Sequence, residues 1–150
     1  MGRSRQFALA DTAQQVVGGF LLAGPFVVTG EVWDLARSMS VIQTLFTVAI
    51  VVGIGYAALY KADDRDPDRE RDVLGVPIRF VSLVFVSYLS VFVLAVAFDA
   101  PGTFLADLGS NGGSVLGLPL SPAMLAVTLK ASSVGAVFSV IGAATADTLY

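Results

Sequence analysis

The residue with the sharpest chemical consequence is a lysine inside an otherwise uncharged apolar run. Lys130 lies nine residues beyond Ser121, where that run begins. At 1.5 Å per residue it stands roughly 13–14 Å along a helix. In hydrocarbon an ammonium at that depth costs at least about 2.5–3.5 kcal/mol unless it is paired, hydrated or able to snorkel. A four-carbon stem makes snorkelling the plain account. Two carboxylates offer an alternative. If the chain turns near Ser38, Glu31 lies roughly 10 Å below that turn and Asp34 about half as deep. Glu31, Asp34 and Arg37 recur at a three-residue interval, so they share a helix face.

Three arrangements follow from this spacing. A Glu31–Lys130 ion pair would fix helix register. A polar vestibule containing Glu31, Asp34 and Lys130 would attract a cation or relay a proton. In the third, Glu31 and Asp34 sit among outer headgroups beside Trp33, an aromatic suited to anchoring at a membrane interface.

The elements that would position these groups are apolar helices. Nineteen uncharged residues separate Asp11 from Glu31, 23 separate Arg37 from Lys61, and 19 separate Arg79 from Asp99. A helix needs about 20 mostly apolar residues to cross the hydrocarbon core. The composition agrees, with 55% hydrophobic and 14% charged residues, against about 25% charged in ordinary soluble domains. The expectation is an all-α, integral membrane four-helix transmembrane bundle forming a single domain over 1–150. Its spans run approximately over 13–33, 40–60, 76–98 and 121–146.

Each span has its own markers. Gly24 and Pro25 interrupt the first, and the proline is expected to kink it. Ala49, Gly53 and Ala57 form a small-residue stripe on the second; Ala131, Gly135, Ser139 and Ala143 form another on the fourth. Such stripes let helix backbones approach closely in lipid. Pro122 suits the first turn of the last helix. Arg79 begins the third span, where it is expected to anchor at the interface by snorkelling to headgroups. Gln14, Gln15 and Gln43 are read as contacts between helices or with headgroups and assigned no site.

The connections are equally distinct. Residues 61–75 hold the strongly polar segment KADDRDPDRERD and read as a solvated cytoplasmic loop. Residues 99–120 are glycine-rich and read as an outer loop with a short helix, or as a re-entrant segment over 99–119. With residues before the first span inside, the cytoplasmic side carries Arg3, Arg5, Lys61, Arg65, Arg69, Arg71 and Arg79, against Arg37 outside. This bias predicts a multi-pass cell-membrane protein with both ends cytoplasmic. Arg3 and Arg5 also resemble the start of a signal peptide, but the following run is too long and lacks an A-x-A-like cleavage site.

Several chemistries lack their residues. The chain has no cysteine and no histidine, which removes thiol nucleophiles, disulfides, imidazole ligands and Ser-His-Asp catalysis. Gly53-Ile54-Gly55 lacks the further glycine and the strand of a nucleotide fold. The aspartates of the polar loop lack the glycine and terminal glutamate of an EF-hand. That loop is net negative, which argues against nucleic acid as a partner. The expectation is therefore no enzyme, no cofactor and no metal.

The stretch Gly18-Gly19-Phe20-Leu21-Leu22-Ala23-Gly24-Pro25-Phe26-Val27-Val28-Thr29-Gly30-Glu31-Val32-Trp33 resembles the first-span signature of an uncharacterised family of integral membrane proteins in haloarchaea and cyanobacteria. Gly24, Pro25, Glu31 and Trp33 are the matching positions. The resemblance implies a membrane protein shorter than its relatives and transfers no activity; Lys130 falls outside it. Ten aspartates against two glutamates and seven arginines against two lysines likewise resemble the residue usage of halophilic archaea.

Two functions remain open from the sequence. One is a small ion or solute channel or transporter-like protein, acting as a homo-oligomer because four helices enclose little room. The other is a non-transporting membrane subunit or scaffold that binds a partner through helix faces or the charged loop.

Overall fold

The computed structural model describes residues 9–62, 72–73, 75–109 and 114–149. Most of the charged loop and the Asn111-Gly112-Gly113 segment lie outside the described residues. The regular structure of the described residues is helical apart from a two-residue β-ladder and an isolated bridge between Val115 and Leu118. In order it forms α1 (Leu9–Val27), α2 (Gly30–Ser38) and α3 (Val41–Tyr56), the last extended by a π-helical segment at Ala57–Ala62. Strands β1 (Asp72–Val73) and β2 (Val76–Pro77) pair antiparallel and lead into α4 (Ile78–Ala97). A short α5 (Ala100–Phe104) and a 3₁₀ turn (Ala106–Gly109) precede α6 (Pro122–Leu149).

Local chemistry explains where these helices begin. Ser40 and Gln43 form a reciprocal capping box: Gln43 N–H donates to Ser40 Oγ at 3.2 Å, and Ser40 N–H donates to Gln43 Oε1 at 2.7 Å. Two amides that the first turn of α3 leaves unpaired are satisfied this way. Gln43 is thus a cap rather than an interhelical contact. Ser121 accepts from Met124 N–H at 3.1 Å and donates to the Leu108 carbonyl at 2.9 Å, tying the start of α6 to the preceding turn. Pro122 then opens α6, as its missing N–H permits.

Among the described residues three helices are long and apolar enough to cross a membrane: Val41–Tyr60, Ile78–Ala97 and Pro122–Asp147. A fourth counts if α1 and α2 form one broken span, but these two meet at 84°. The sharp turn falls at residues 28–29, whereas α1 continues through Pro25 to Val27. Thr29 Oγ1 donates to the Pro25 carbonyl at 2.7 Å, and Trp33 Nε1 donates to the Val27 carbonyl at 3.0 Å. These side chains occupy acceptors at the end of α1 where the helical ladder stops.

Helix α6 lies at the centre, packed against α1, α3 and α4 as well as α2. Small residues set the crossings. A methyl on Gly18 would strike the Gly142 carbonyl, so α1 and α6 touch backbone to backbone. A Cβ on Gly135 would stand 2.8 Å from Val91 of α4. The stripe of Ala131, Gly135, Ser139 and Ala143 is accordingly buried. The second stripe behaves differently: Ala49, Gly53 and Ala57 are exposed, and nothing lies within 4 Å of a Cβ on Gly53. On α3 it is Gly55 that packs inward, against Leu83 and Val140. Gly24 also faces open space. Neither Gly24 nor Gly53 therefore takes the expected packing role against another described residue, because at both the Cβ position faces open space.

The buried apolar residues form two clusters. One gathers Trp33, Val27, Leu105, Leu120 and Met124 near the start of α6. The other gathers Leu59, Val51, Leu83 and Val140 towards its far end.

Candidate functional site

The most concentrated buried charge lies where α1 and α4 begin and α6 ends. Arg79 Nη1 donates to Asp147 Oδ1 at 2.7 Å, and Arg79 Nη2 lies 3.4 Å from Asp11 Oδ2. Side-chain exposure is 2% for Arg79, none for Asp147 and 20% for Asp11. One turn deeper, Ser82 Oγ donates to Gln15 Oε1 at 2.8 Å, while Gln15 Nε2 approaches the Arg79 carbonyl at 3.5 Å. Gln15 therefore uses its amide as both donor and acceptor between α1 and α4.

Helix ends make this cluster self-consistent. Arg79 sits in the first turn of α4 and Asp147 in the last turn of α6, each at the unfavourable end of its own helix dipole. Because α4 and α6 run antiparallel, each charge meets the favourable end of the other helix. Asp11 in the first turn of α1 suits its own dipole. The interface role expected of Arg79 is corrected: its guanidinium is enclosed by protein and held by carboxylates from two other helices.

The charges singled out from sequence are dispersed. Lys130 Nζ donates to the Met39 carbonyl at 2.8 Å. A Cα–Cβ bond tilts towards the helix N-terminus, so Lys130 leans towards the start of α6. There it meets the C-terminal end of α2, where a cation is favoured. Glu31 and Asp34 are both exposed on α2. The Glu31–Lys130 pair and the three-residue vestibule do not form. Both rested on a first span running straight through Trp33, and the turn at residues 28–29 carries Glu31 and Asp34 out of it. Arg37 instead pairs with Asp107 at 2.6 Å and donates to the Phe104 carbonyl at 2.7 Å, linking α2 to the segment after α4.

Trp33 is likewise no interface anchor. It is 1% exposed, its indole N–H is taken by Val27, and its ring stacks on Phe104 at a centroid distance of 6.0 Å.

A second polar seam was not singled out from sequence. Thr47 of α3 lies 2.5 Å from Ser133 of α6, which lies 2.8 Å from the Tyr88 hydroxyl of α4. Thr47 donates its proton to the Thr44 carbonyl at 2.6 Å. One proton per hydroxyl then fixes the direction: Tyr88 donates to Ser133, and Ser133 donates to Thr47. Three helices are joined by one relay. Buried Ser139 also bonds between helices, donating to the Gly19 carbonyl of α1 at 3.1 Å, whereas Ser87 and Thr128 bond back along their own helices to Leu83 and Met124.

The signal that finds Arg79 and Asp147 is depth. Both lie at the same end of antiparallel apolar helices, and opposite charges at one depth are expected to pair. Among the described residues no group of three or more acidic, histidine or cysteine side chains is arranged to hold a metal ion. No protein-family model, no curated protein and no solved structure matches this chain.

Proposed function

We propose that the chain is a non-transporting membrane subunit that holds a partner protein through the outer face of α3. The observation that carries this reading is the exposure of a helix that has the composition of a membrane span. Only 11% of the apolar window of Val41–Tyr60 is buried in the chain, against 33% for Ile78–Ala97 and 56% for Pro122–Asp147. That exposed face carries Ala49, Gly53 and Ala57, with open space at Gly53. Small residues at a four-residue interval admit a neighbouring helix at close range, where lipid gives no hydrophobic drive for association.

The buried polar groups support the same reading, because they join helices of this chain. The Arg79 cluster links α1, α4 and α6; the Tyr88 relay links α3, α4 and α6. Of the charges that would motivate a conducting path, Lys130 is occupied by the Met39 carbonyl, and Glu31 and Asp34 stand exposed on α2. In this reading the chain lies in the cell membrane. Its seven-to-one basic bias puts the Arg79 end on the cytoplasmic side.

The test combines capture with flux. A photo-crosslinker at Gly53, in native membranes, is expected to trap one protein reproducibly, and Gly53→Leu is expected to release it without unfolding the chain. Purified protein in liposomes is expected to pass no ion above the empty-vesicle rate. A flux that Lys130→Met abolishes in folded protein would reinstate the channel reading.

A further inference from the structure

The chain enters α6 through a tight hairpin turn. Val115 and Leu118 form an antiparallel bridge. Val115 N–H donates to the Leu118 carbonyl at 3.2 Å, and Leu118 N–H donates to the Val115 carbonyl at 3.0 Å. The two residues between them both hold left-handed backbone, Leu116 with φ 55° and Gly117 with φ 74°. Such a turn suits asparagine, aspartate or glycine at its first position, because a larger side chain there crowds the backbone. Among the described residues, Asp99 and Leu116 are the non-glycine residues with positive φ. Aspartate tolerates that region far better than leucine.

No packing among the described residues accounts for the leucine, which is 91% exposed. Its neighbours do the reverse: Leu120 is buried in the cluster of Trp33 and Met124, and Leu118 packs against that cluster. The turn is thus pinned from its C-terminal side to the start of α6, with Leu116 carried at the tip. A lone exposed leucine is ordinary on a protein surface. One held in strained backbone points to a contact beyond the chain.

We propose that Leu116 is a lipid anchor, inserted at the start of α6 where headgroups give way to acyl chains. The turn leads directly into Pro122–Asp147, a helix of spanning length, which sets it at the membrane boundary. No charged residue lies between Asp107 and Lys130, so the tip approaches hydrocarbon with no ion to desolvate. The reciprocal bonds of Val115 and Leu118 satisfy the backbone groups flanking the tip, as a setting poor in water requires. A two-residue turn presents one large side chain, too little surface for a stable protein contact. Lipid asks less, since interfacial binding simply scales with the apolar area buried. The inference rests on the membrane location of the reading above and not on its α3 partner.

Spin labels on single cysteines in liposomes test it, because the chain has no native thiol. The reporter is Ser114→Cys, exposed beside the tip, which keeps Leu116 in place. Its collisions are expected to favour oxygen, which concentrates in lipid, over a water-soluble nickel chelate. Leu116→Asn suits the backbone of the turn and is expected to shift the reporter's partition towards water about tenfold, the scale of burying one leucine. Leu116→Met, which stays apolar, is expected to hold it in lipid. Two further labels separate this inference from the membrane reading: Phe85→Cys, exposed on α4, and Asp34→Cys, exposed on α2, which sets the water limit. A lipid-facing label at position 85, with a reporter as wet as the label at position 34, would overturn the anchor and leave the spans intact. A wet label at position 85 would overturn the membrane reading itself. The anchor also fails if Leu116→Asn leaves the reporter unmoved, or if native membranes shield the reporter from both agents, which marks a protein contact instead.

Discussion

Arg79 Nη1 and Asp147 Oδ1 stand 2.7 Å apart with almost no exposed surface on either side chain. They stand 68 positions apart in the chain, and their contact joins the beginning of α4 to the end of α6. Breaking a buried pair by removing one partner leaves the other charge desolvated and typically costs about 3–5 kcal/mol. Asp147→Asn and Arg79→Met are therefore both expected to lower thermal stability severely in detergent. The double variant Arg79→Met/Asp147→Leu should recover part of the loss, since only the part-exposed Asp11 carboxylate then remains of the cluster. A double variant no more stable than the worse single one would show that the pair is not the source of the effect.

The two glycines marked by the small-residue stripes should separate cleanly. Gly135→Leu forces a side chain into Val91 and is expected to cost about 1–3 kcal/mol by overpacking. A Cβ on Gly53 meets nothing within 4 Å and the residue is exposed, so the effect of Gly53→Leu on the isolated chain should stay within about 0.5 kcal/mol, as for ordinary surface changes. Chemical denaturation in a fixed detergent reads both.

Trp33 is the sole tryptophan, which makes its surroundings directly measurable. Its emission is expected to be blue-shifted and insensitive to both aqueous quenchers and bromine-labelled lipid. Strong quenching by the lipid would place it at the membrane interface instead. Trp33→Phe keeps a stacking ring but withdraws the donor from the Val27 carbonyl; a buried acceptor left unpaired costs about 1–3 kcal/mol.

Arg37 and Asp107 link two segments at the surface, and their pairing has a pH signature. The hydrogen bond from Arg37 holds the Asp107 carboxyl below its usual range. A carboxylate lowered on folding contributes stability that is present above the unfolded pKa, about 3.9 for aspartate, and is lost as pH falls through the folded value. The pair should therefore loosen in acid, and added salt should weaken it at neutral pH because both groups face solvent. Asp107→Asn should remove this acid-dependent component from a stability–pH titration of the wild-type protein.

How much of this was legible in the sequence follows from what each feature depends on. Apolar helices of spanning length were readable because hydrophobicity and backbone satisfaction act locally, residue by residue. The placement of Pro122 also lies within one helical turn, as does the Ser40–Gln43 box, although Gln43 reads from sequence as a contact between helices or with headgroups and not as a cap. The inward stripe on α6 was recognisable for the same reason, since its spacing repeats along one face.

Which face turns inward was decided only by tertiary packing. The stripes of α3 and α6 look alike in sequence, yet Gly135 is buried against Val91 and Gly53 faces out. The turn at residues 28–29 depends on acceptors met by Thr29 and Trp33, and it moved Glu31 and Asp34 away from Lys130. Arg79, Asp11 and Asp147 come from three helices, and no local pattern specifies that they share one buried point. Sequence determined which segments form helices long and apolar enough to span a membrane, because apolarity is a property of each residue alone. Tertiary structure decided which charges and glycines meet, because those energies exist only between helices.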